Sequence, residues 1–159
     1  MLRRLRGALG NAALWAASWF TISLGVFSVL NLAGVFGTYP DQWMLTLLMS
    51  TQAGLSGFAT GLLFSGYLRL AHRDRSIMDI SVLRSTVAGA GIAALLPIGS
   101  TLLWMTRIDI YHPLMLLVSA LPAMVLGAVT AGGTLAAARQ NERHAIETER
   151  RSALGLPPE

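Results

Sequence analysis

The sequence has no cysteine and no lysine, and charged residues make up only 13% of its 159 positions. The absence of cysteine excludes disulfides, thiolate metal sites and cysteine nucleophiles. Because lysine is absent, all twelve basic residues are arginine. Long apolar runs separate these arginines, so the chain lacks the soluble basic face, with base-reading or stacking groups, that nucleic-acid binding requires.

Apolar residues dominate the remainder: hydrophobic side chains make up 53% of the chain, which is typical of integral membrane proteins. A helix needs about 20 apolar residues to cross the hydrocarbon core of a bilayer, and four uncharged runs reach that length. The sequence therefore predicts an all-α integral membrane four-helix bundle. It forms one membrane domain, 1–138, followed by a cytoplasmic helical extension and tail, 139–159. The predicted spans are about 8–36, 42–70, 85–105 and 113–138.

The distribution of arginine predicts the orientation in the membrane. Eleven of the twelve lie in the N-terminal segment, the loop after the second span and the C-terminal tail, whereas the two opposite loops hold only Arg107. Loops rich in arginine stay on the cytoplasmic side. We therefore expect a multi-pass protein of the bacterial inner membrane with both termini in the cytoplasm.

Small residues recur every four positions within the spans, which places them on one face of a helix. Such a face lets another helix approach closely, as helices do when they associate in lipid. The clearest series runs through the stretch from Ser50 to Arg69. The predicted packing residues are Ala53, Gly57, Gly61 and Ser65 on the second span, Gly89 and Ala93 on the third, and Ala128, Gly132 and Ala136 on the fourth. Of the tryptophans in the first span, Trp15 fits an interfacial aromatic belt, and Trp19 fits a deeper site against a neighbouring helix.

A shift of the chain by 70 residues aligns Ala53 with Ala123, Gly57 with Gly127, and Arg69 with Arg139. Both predicted hairpins run in the same direction through the membrane. One interpretation is therefore a duplication into two parallel helical-hairpin repeats. The other is chance matching between spans that are rich in small residues.

The residues that could carry chemistry lie outside the predicted spans. Of the three histidines, we retain His112 as a weak candidate for a cofactor ligand near the outer surface, and we expect no metal site and no cofactor. Ionisable groups within the membrane mark ion and proton pathways, and none is predicted at the midplane. Polar side chains within the spans can bond to other helices or to the preceding turn, or line a path for a small solute. They are Asn31, Gln52, Ser100, Thr101, Thr130 and Thr134.

Six arginines near the predicted inner surface have two interpretations. They can bind anionic lipid headgroups, at about 1 kcal/mol for each basic residue, or they can dock on an acidic partner. These residues are Arg69, Arg73, Arg75, Arg84, Arg139 and Arg143.

The stretch SGFATGLLFSGYLRLAHRDRSIMDISVLRSTVAGAG, about a quarter of the chain, carries a family resemblance. It resembles uncharacterised small bacterial four-span membrane proteins that pair a glycine-rich second span with an arginine-rich loop ending in Asp-x-Ser. The resemblance implies a topology and no activity.

These features favour a protein that is not an enzyme. We expect an accessory subunit that packs within a larger membrane complex, photosynthetic or respiratory, in contact with other membrane subunits and with anionic lipid. The alternative is a small transporter or channel subunit that oligomerises around a weakly polar path. An enzyme acting on lipid is disfavoured because the sequence contains no catalytic constellation.

Overall fold

The computed structural model describes residues 2–35, 41–71, 80–108 and 113–153. These residues form four helices, which confirms the all-α class. The helices are α1 (Leu2–Leu32), α2 (Gln42–Ala71), α3 (Val82–Ile108) and α4 (Pro113–Ala153).

Each helix is long and apolar enough to cross a membrane, as expected of a multi-pass membrane protein. The four candidate spans are Arg6–Leu32, Gln42–Ala71, Val82–Arg107 and Pro113–Thr148. At a rise of 1.5 Å per residue, the 41 residues of α4 extend about 60 Å, roughly twice the thickness of the hydrocarbon core. The helical extension expected after residue 138 is therefore continuous with the fourth span.

The first helix ends four residues before the predicted end of its span, and Gly34 accounts for this difference. Its φ of 74° lies in the left-handed region, which a glycine adopts without a steric penalty. The Val35 N–H donates to the Leu30 carbonyl, and the Gly34 N–H donates to the Asn31 carbonyl, at 3.0 Å each. This is the Schellman pattern, which satisfies the last carbonyls of a helix.

The third helix begins at Val82, three residues before the predicted span, because Ser81 caps it. The Ser81 hydroxyl accepts a hydrogen bond from the Arg84 N–H at 3.4 Å, and the Ser81 carbonyl accepts one from the Ser85 N–H. A serine in this position satisfies backbone donors that the first turn leaves open.

The helices pack as two antiparallel hairpins: the first hairpin is α1 with α2, and the second is α3 with α4. Contacts between the hairpins are fewer and lie mainly between α2 and α3. Large aliphatic side chains cover the outside, for example Leu55 at 69% exposure and Leu103 at 70%. Small, hydroxyl and aromatic side chains fill the inside, so the bundle presents leucine outward, as a lipid-facing surface requires.

Candidate functional site

The glycine face of α2 lies directly against α1. A Cβ atom added to Gly57 would be 2.8 Å from Trp19 Cγ and 2.9 Å from the Trp15 carbonyl oxygen. One added to Gly61 would be 2.8 Å from Ala12 Cα. Since Cβ contacts under 3.0 Å hardly occur, α1 occupies the space that a larger side chain would need.

The other residues of that predicted face have less contact. Ala53 is half-buried, as is Ser65. Ser65 instead joins a polar contact that sequence reasoning missed, in which Asn11 Nδ2 donates to Ser65 Oγ at 2.9 Å and to the Gly61 carbonyl at 3.4 Å. Ser65 Oγ in turn donates to the Gly61 carbonyl at 2.8 Å. The signal in the sequence is a polar residue, Asn11, within the apolar run of α1, but spacing alone does not pair it with α2.

Trp15 and Trp19 form the aromatic part of the core. Their rings stack with centroids 6.5 Å apart, and Trp15 also contacts Phe64, with centroids 5.1 Å apart. Trp15 is 0% exposed, so the interfacial-belt position expected for it is wrong. The indole is buried because the glycine face of α2 leaves room for it. The buried core cluster also includes residues of the second hairpin, namely Ala93, Ala123 and Ala131.

In the second hairpin, α3 and α4 cross with their backbones in direct contact. A Cβ atom added to Gly127 would lie 2.5 Å from the Gly89 carbonyl oxygen and would overlap Ala93 Cβ. One added to Gly89 would lie 2.7 Å from the Gly127 carbonyl oxygen and would overlap Ala131 Cβ. Gly89 and Ala93, both predicted packing residues, are therefore buried against α4.

On α4 the buried series lies one residue before the predicted one. Ala123, Gly127 and Ala131 are buried, as is Leu135. The predicted residues Ala128 and Gly132 are half-buried, and Ala136 is exposed. A Cβ atom added to Gly132 would be 3.2 Å from Thr86 Oγ1, so that position borders α3 without lying at the crossing. The shift by 70 residues, which aligns Gly57 with Gly127, already indicated the buried series.

The described arginines of the predicted inner surface differ in environment. Arg69, Arg84 and Arg143 are exposed. Arg139 is half-buried, and its Nη2 donates a hydrogen bond to the Ile80 carbonyl, which ties α4 to the segment before α3. Three predicted site residues lie outside the described residues: Arg73, Arg75 and His112.

Four of the six polar span residues make the structural hydrogen bonds expected of them. Thr130 and Thr134 donate to the preceding turn, Ser100 donates to the Pro97 carbonyl, and Thr101 donates to Ser119 Oγ at 3.1 Å. Asn31 Nδ2 is buried and has no partner in the described part of the chain. Gln52 is exposed, and no hydrogen bond to its side chain is found among the described residues.

Other buried polar atoms also lack a hydrogen-bond partner within the described residues. Such an atom costs about 1–3 kcal/mol when it is left unsatisfied. They are Trp15 Nε1, Trp19 Nε1, Thr46 Oγ1 and Ser85 Oγ. With Asn31 Nδ2, these atoms are the polar groups that the interior could offer to a solute.

A groove of about 460 Å³ opens on the surface between α3 and α4. Its lining is Thr101, Leu114, Met115, Val118 and Ser119. The hydroxyls of Thr101 and Ser119 are already engaged, because Thr101 donates to Ser119 and Ser119 donates to the Leu116 carbonyl. What the groove presents is therefore mainly an apolar wall.

Across residues 2–35, 41–71, 80–108 and 113–153, no three His, Asp or Glu side chains gather as metal ligands would. Comparison of the chain with protein-family models, curated proteins and solved structures gives no match. The two helix crossings and the surface around them are therefore the features of the molecule that bear on its function.

Proposed function

We propose that this chain is an accessory, non-catalytic subunit that packs within or stabilises a larger bacterial membrane complex, with photosynthetic and respiratory assemblies as the expected hosts. The observation that carries the proposal is that closely packed side chains and backbone fill the two helix crossings. Trp19 packs on Gly57, Trp15 packs on Gly61, and Gly89 meets Gly127 through the backbone. Interiors filled in this way favour a structural role over chemistry or transport.

We also propose that both termini are cytoplasmic and that the chain lies in the bacterial inner membrane. The antiparallel hairpins support this orientation, because they bring Arg69, Arg84 and Arg139 to one end of the bundle and leave Arg107 at the other. The arginine end would then contact anionic headgroups. Reporter fusions at Tyr39 and Glu159 test this orientation: opposite sides of the membrane are expected, and the same side for both would contradict it.

The packing supports a duplication into two parallel hairpin repeats. Under the shift of 70 residues, the contact between Trp19 and Gly57 corresponds to the contact between Gly89 and Gly127. Trp15 corresponds to Ser85, and both are fully buried. The two hairpins therefore cross at equivalent positions, and this equivalence supports duplication as the interpretation of the 70-residue match.

The second candidate function is a small transporter or channel subunit. The observation that favours it is the set of buried polar atoms without partners, since Asn31 Nδ2, Thr46 Oγ1 and Ser85 Oγ could each bind water or a polar solute. Mild-detergent extraction separates the two candidates. Co-migration with a larger complex supports the accessory role, whereas a homo-oligomer that passes solute in liposomes supports the channel.

Deletion of the protein gives the sharper test of the leading proposal. We expect a lower yield or melting temperature of the host complex, with turnover per assembled complex nearly unchanged. A tenfold loss of turnover in complexes that assemble fully would contradict a purely structural role.

A further inference from the structure

The outward side of α2 carries a seven-residue repeat. Leucine recurs at one position, and a polar or small residue recurs four positions after each leucine. We call this series the leucine–glutamine stripe; it consists of Leu48, Gln52, Leu55, Ala59, Leu62 and Gly66. In coiled-coil terms the leucines occupy d positions, and Gln52, Ala59 and Gly66 occupy a positions. Gly57 then falls at f, the position opposite the seam, and f is the side that contacts α1.

Most of the stripe has no partner among the described residues, although Ala59 is half-buried and Leu62 is 38% exposed. Leu48 is 65% exposed and Leu55 is 69% exposed. Gln52 is also exposed, and a Cβ atom added to Gly66 would meet nothing within 4 Å. A repeat of seven residues is the signature of a helix that packs along a second, supercoiled helix, and lipid contact does not require it.

Gln52 distinguishes this surface from ordinary lipid-facing helix. It lies about 15 Å along α2 from the first residue of the helix, within the apolar run. Exposed hydroxyls elsewhere bond to their own helix: Thr51 donates to the Leu47 carbonyl at 2.8 Å, and Ser100 donates to the Pro97 carbonyl at 3.1 Å. The Gln52 amide makes no such bond within the described part of the chain, and a polar group left unpaired in hydrocarbon is unfavourable.

We propose that the leucine–glutamine stripe joins two copies of this chain into a symmetric dimer through parallel α2 helices. Copies of one chain insert with the same orientation, so their α2 helices are parallel and each a position faces its own equivalent. An amide both donates and accepts hydrogen bonds, so Gln52 can pair with Gln52 of the second copy. Ala59 and Gly66 then allow the helices to approach closely towards their C-terminal ends. This dimer does not depend on the existence of a host complex.

The natural absence of cysteine makes the test direct, since a single introduced cysteine can cross-link only to its equivalent in another copy or to a different protein. Single-cysteine variants of the full chain are made at the six stripe positions and oxidised in native membranes. The matched control is Leu103→Cys, on the exposed surface of α3. We expect adducts of twice the chain mass at the stripe positions, at several times the yield of the control. Yields equal to the control, or adducts only with another protein, would overturn the proposal.

A second measurement tests the role of Gln52. Gln52→Leu should lower the dimer fraction roughly tenfold at a fixed protein-to-lipid ratio, and Gln52→Asn should retain most of it. Ser100→Leu, a polar-to-leucine change on α3, is the control and should leave the dimer unchanged. Membrane insertion is measured for every variant. Full dimerisation of the inserted Gln52→Leu protein would overturn the assignment of Gln52 as the pairing residue.

Discussion

In the first hairpin the glycine face of α2 lies against two tryptophan side chains and the α1 backbone, whereas in the second hairpin the glycine of α4 lies against the glycine of α3. Trp15 and Trp19 in one hairpin correspond to Ser85 and Gly89 in the other. The first crossing therefore combines two tryptophan side chains with α1 backbone contacts at Ala12 and Trp15, whereas at the second crossing each glycine meets the backbone of the other.

This difference determines which crossing tolerates change. At Gly57 two kinds of atom lie in the way of an added Cβ: the Trp19 side chain, which can shift by a few tenths of an ångström, and the Trp15 carbonyl oxygen at 2.9 Å. A backbone carbonyl can move only with its helix. An added Cβ would lie 2.5 Å from a backbone carbonyl oxygen at Gly127 and 2.9 Å from one at Gly57, so the second hairpin should be the more sensitive of the two.

Alanine at these two glycines is expected to have the largest effect. Gly127→Ala should lower the free energy of unfolding in detergent by about 3 kcal/mol or more, because its Cβ would lie 2.5 Å from the Gly89 carbonyl oxygen. Gly57→Ala should cost about 1–2 kcal/mol, because Trp19 can shift in part and the nearest carbonyl oxygen, that of Trp15, lies farther away, at 2.9 Å. Thermal or denaturant unfolding of the purified variants measures both.

Gly91→Ala and Gly133→Ala are the controls for that pair. A Cβ atom at either position meets no atom within 4 Å, so helix propensity should make these variants neutral or more stable by up to about 1 kcal/mol. If Gly57→Ala were as destabilising as Gly127→Ala, the proposed difference between the crossings would be wrong.

Sequence patterns predicted the helices well because long uncharged runs leave few other structures. They also identified Gly57 and Gly61, since the small residues of α2 form one clear series. In α4 they did not select the buried face. Ala128, Gly132 and Ala136 have the same spacing as the buried residues one position earlier, so spacing within α4 does not by itself distinguish the two series.

Trp15 shows a different limit of sequence patterns. An indole combines a large apolar ring with one N–H donor, so its chemistry suits the membrane interface as well as a core. The complementary surface on Gly57 and Gly61 buries it, and that surface lies more than forty residues away in the chain. Nor could spacing pair Asn11 with Ser65, because that contact depends on the register of the two helices.

Loss of the hydrogen bond between Asn11 and Ser65 is expected to have an intermediate effect. This bond lies in the first hairpin and has no equivalent among the described residues of the second. The shift of 70 residues places Ser81 and Leu135 at the equivalent positions, and Ser81 caps α3 instead. Asn11→Ala should lower the free energy of unfolding by about 1 kcal/mol, and Ser65→Ala should add little in the double variant because the two side chains share one bond. A double-mutant cycle measures the coupling, and strictly additive losses would show that the bond contributes nothing.

The smallest expected effect concerns Asn31 and Thr101, which occupy equivalent positions in the two hairpins. Thr101 donates to Ser119 at 3.1 Å, so Thr101→Val should cost about 0.6 kcal/mol. Asn31 Nδ2 is buried without a partner in the described part of the chain, so Asn31→Leu should be neutral or more stable by about 1 kcal/mol. The opposite signs test whether the polar interior of the first hairpin is dry, and unfolding of both variants under one set of conditions measures them. A clear loss of stability in Asn31→Leu would show that the amide bonds to water, lipid or a partner in the membrane. Asn31 would then be the first residue to examine for the solute path of the channel alternative.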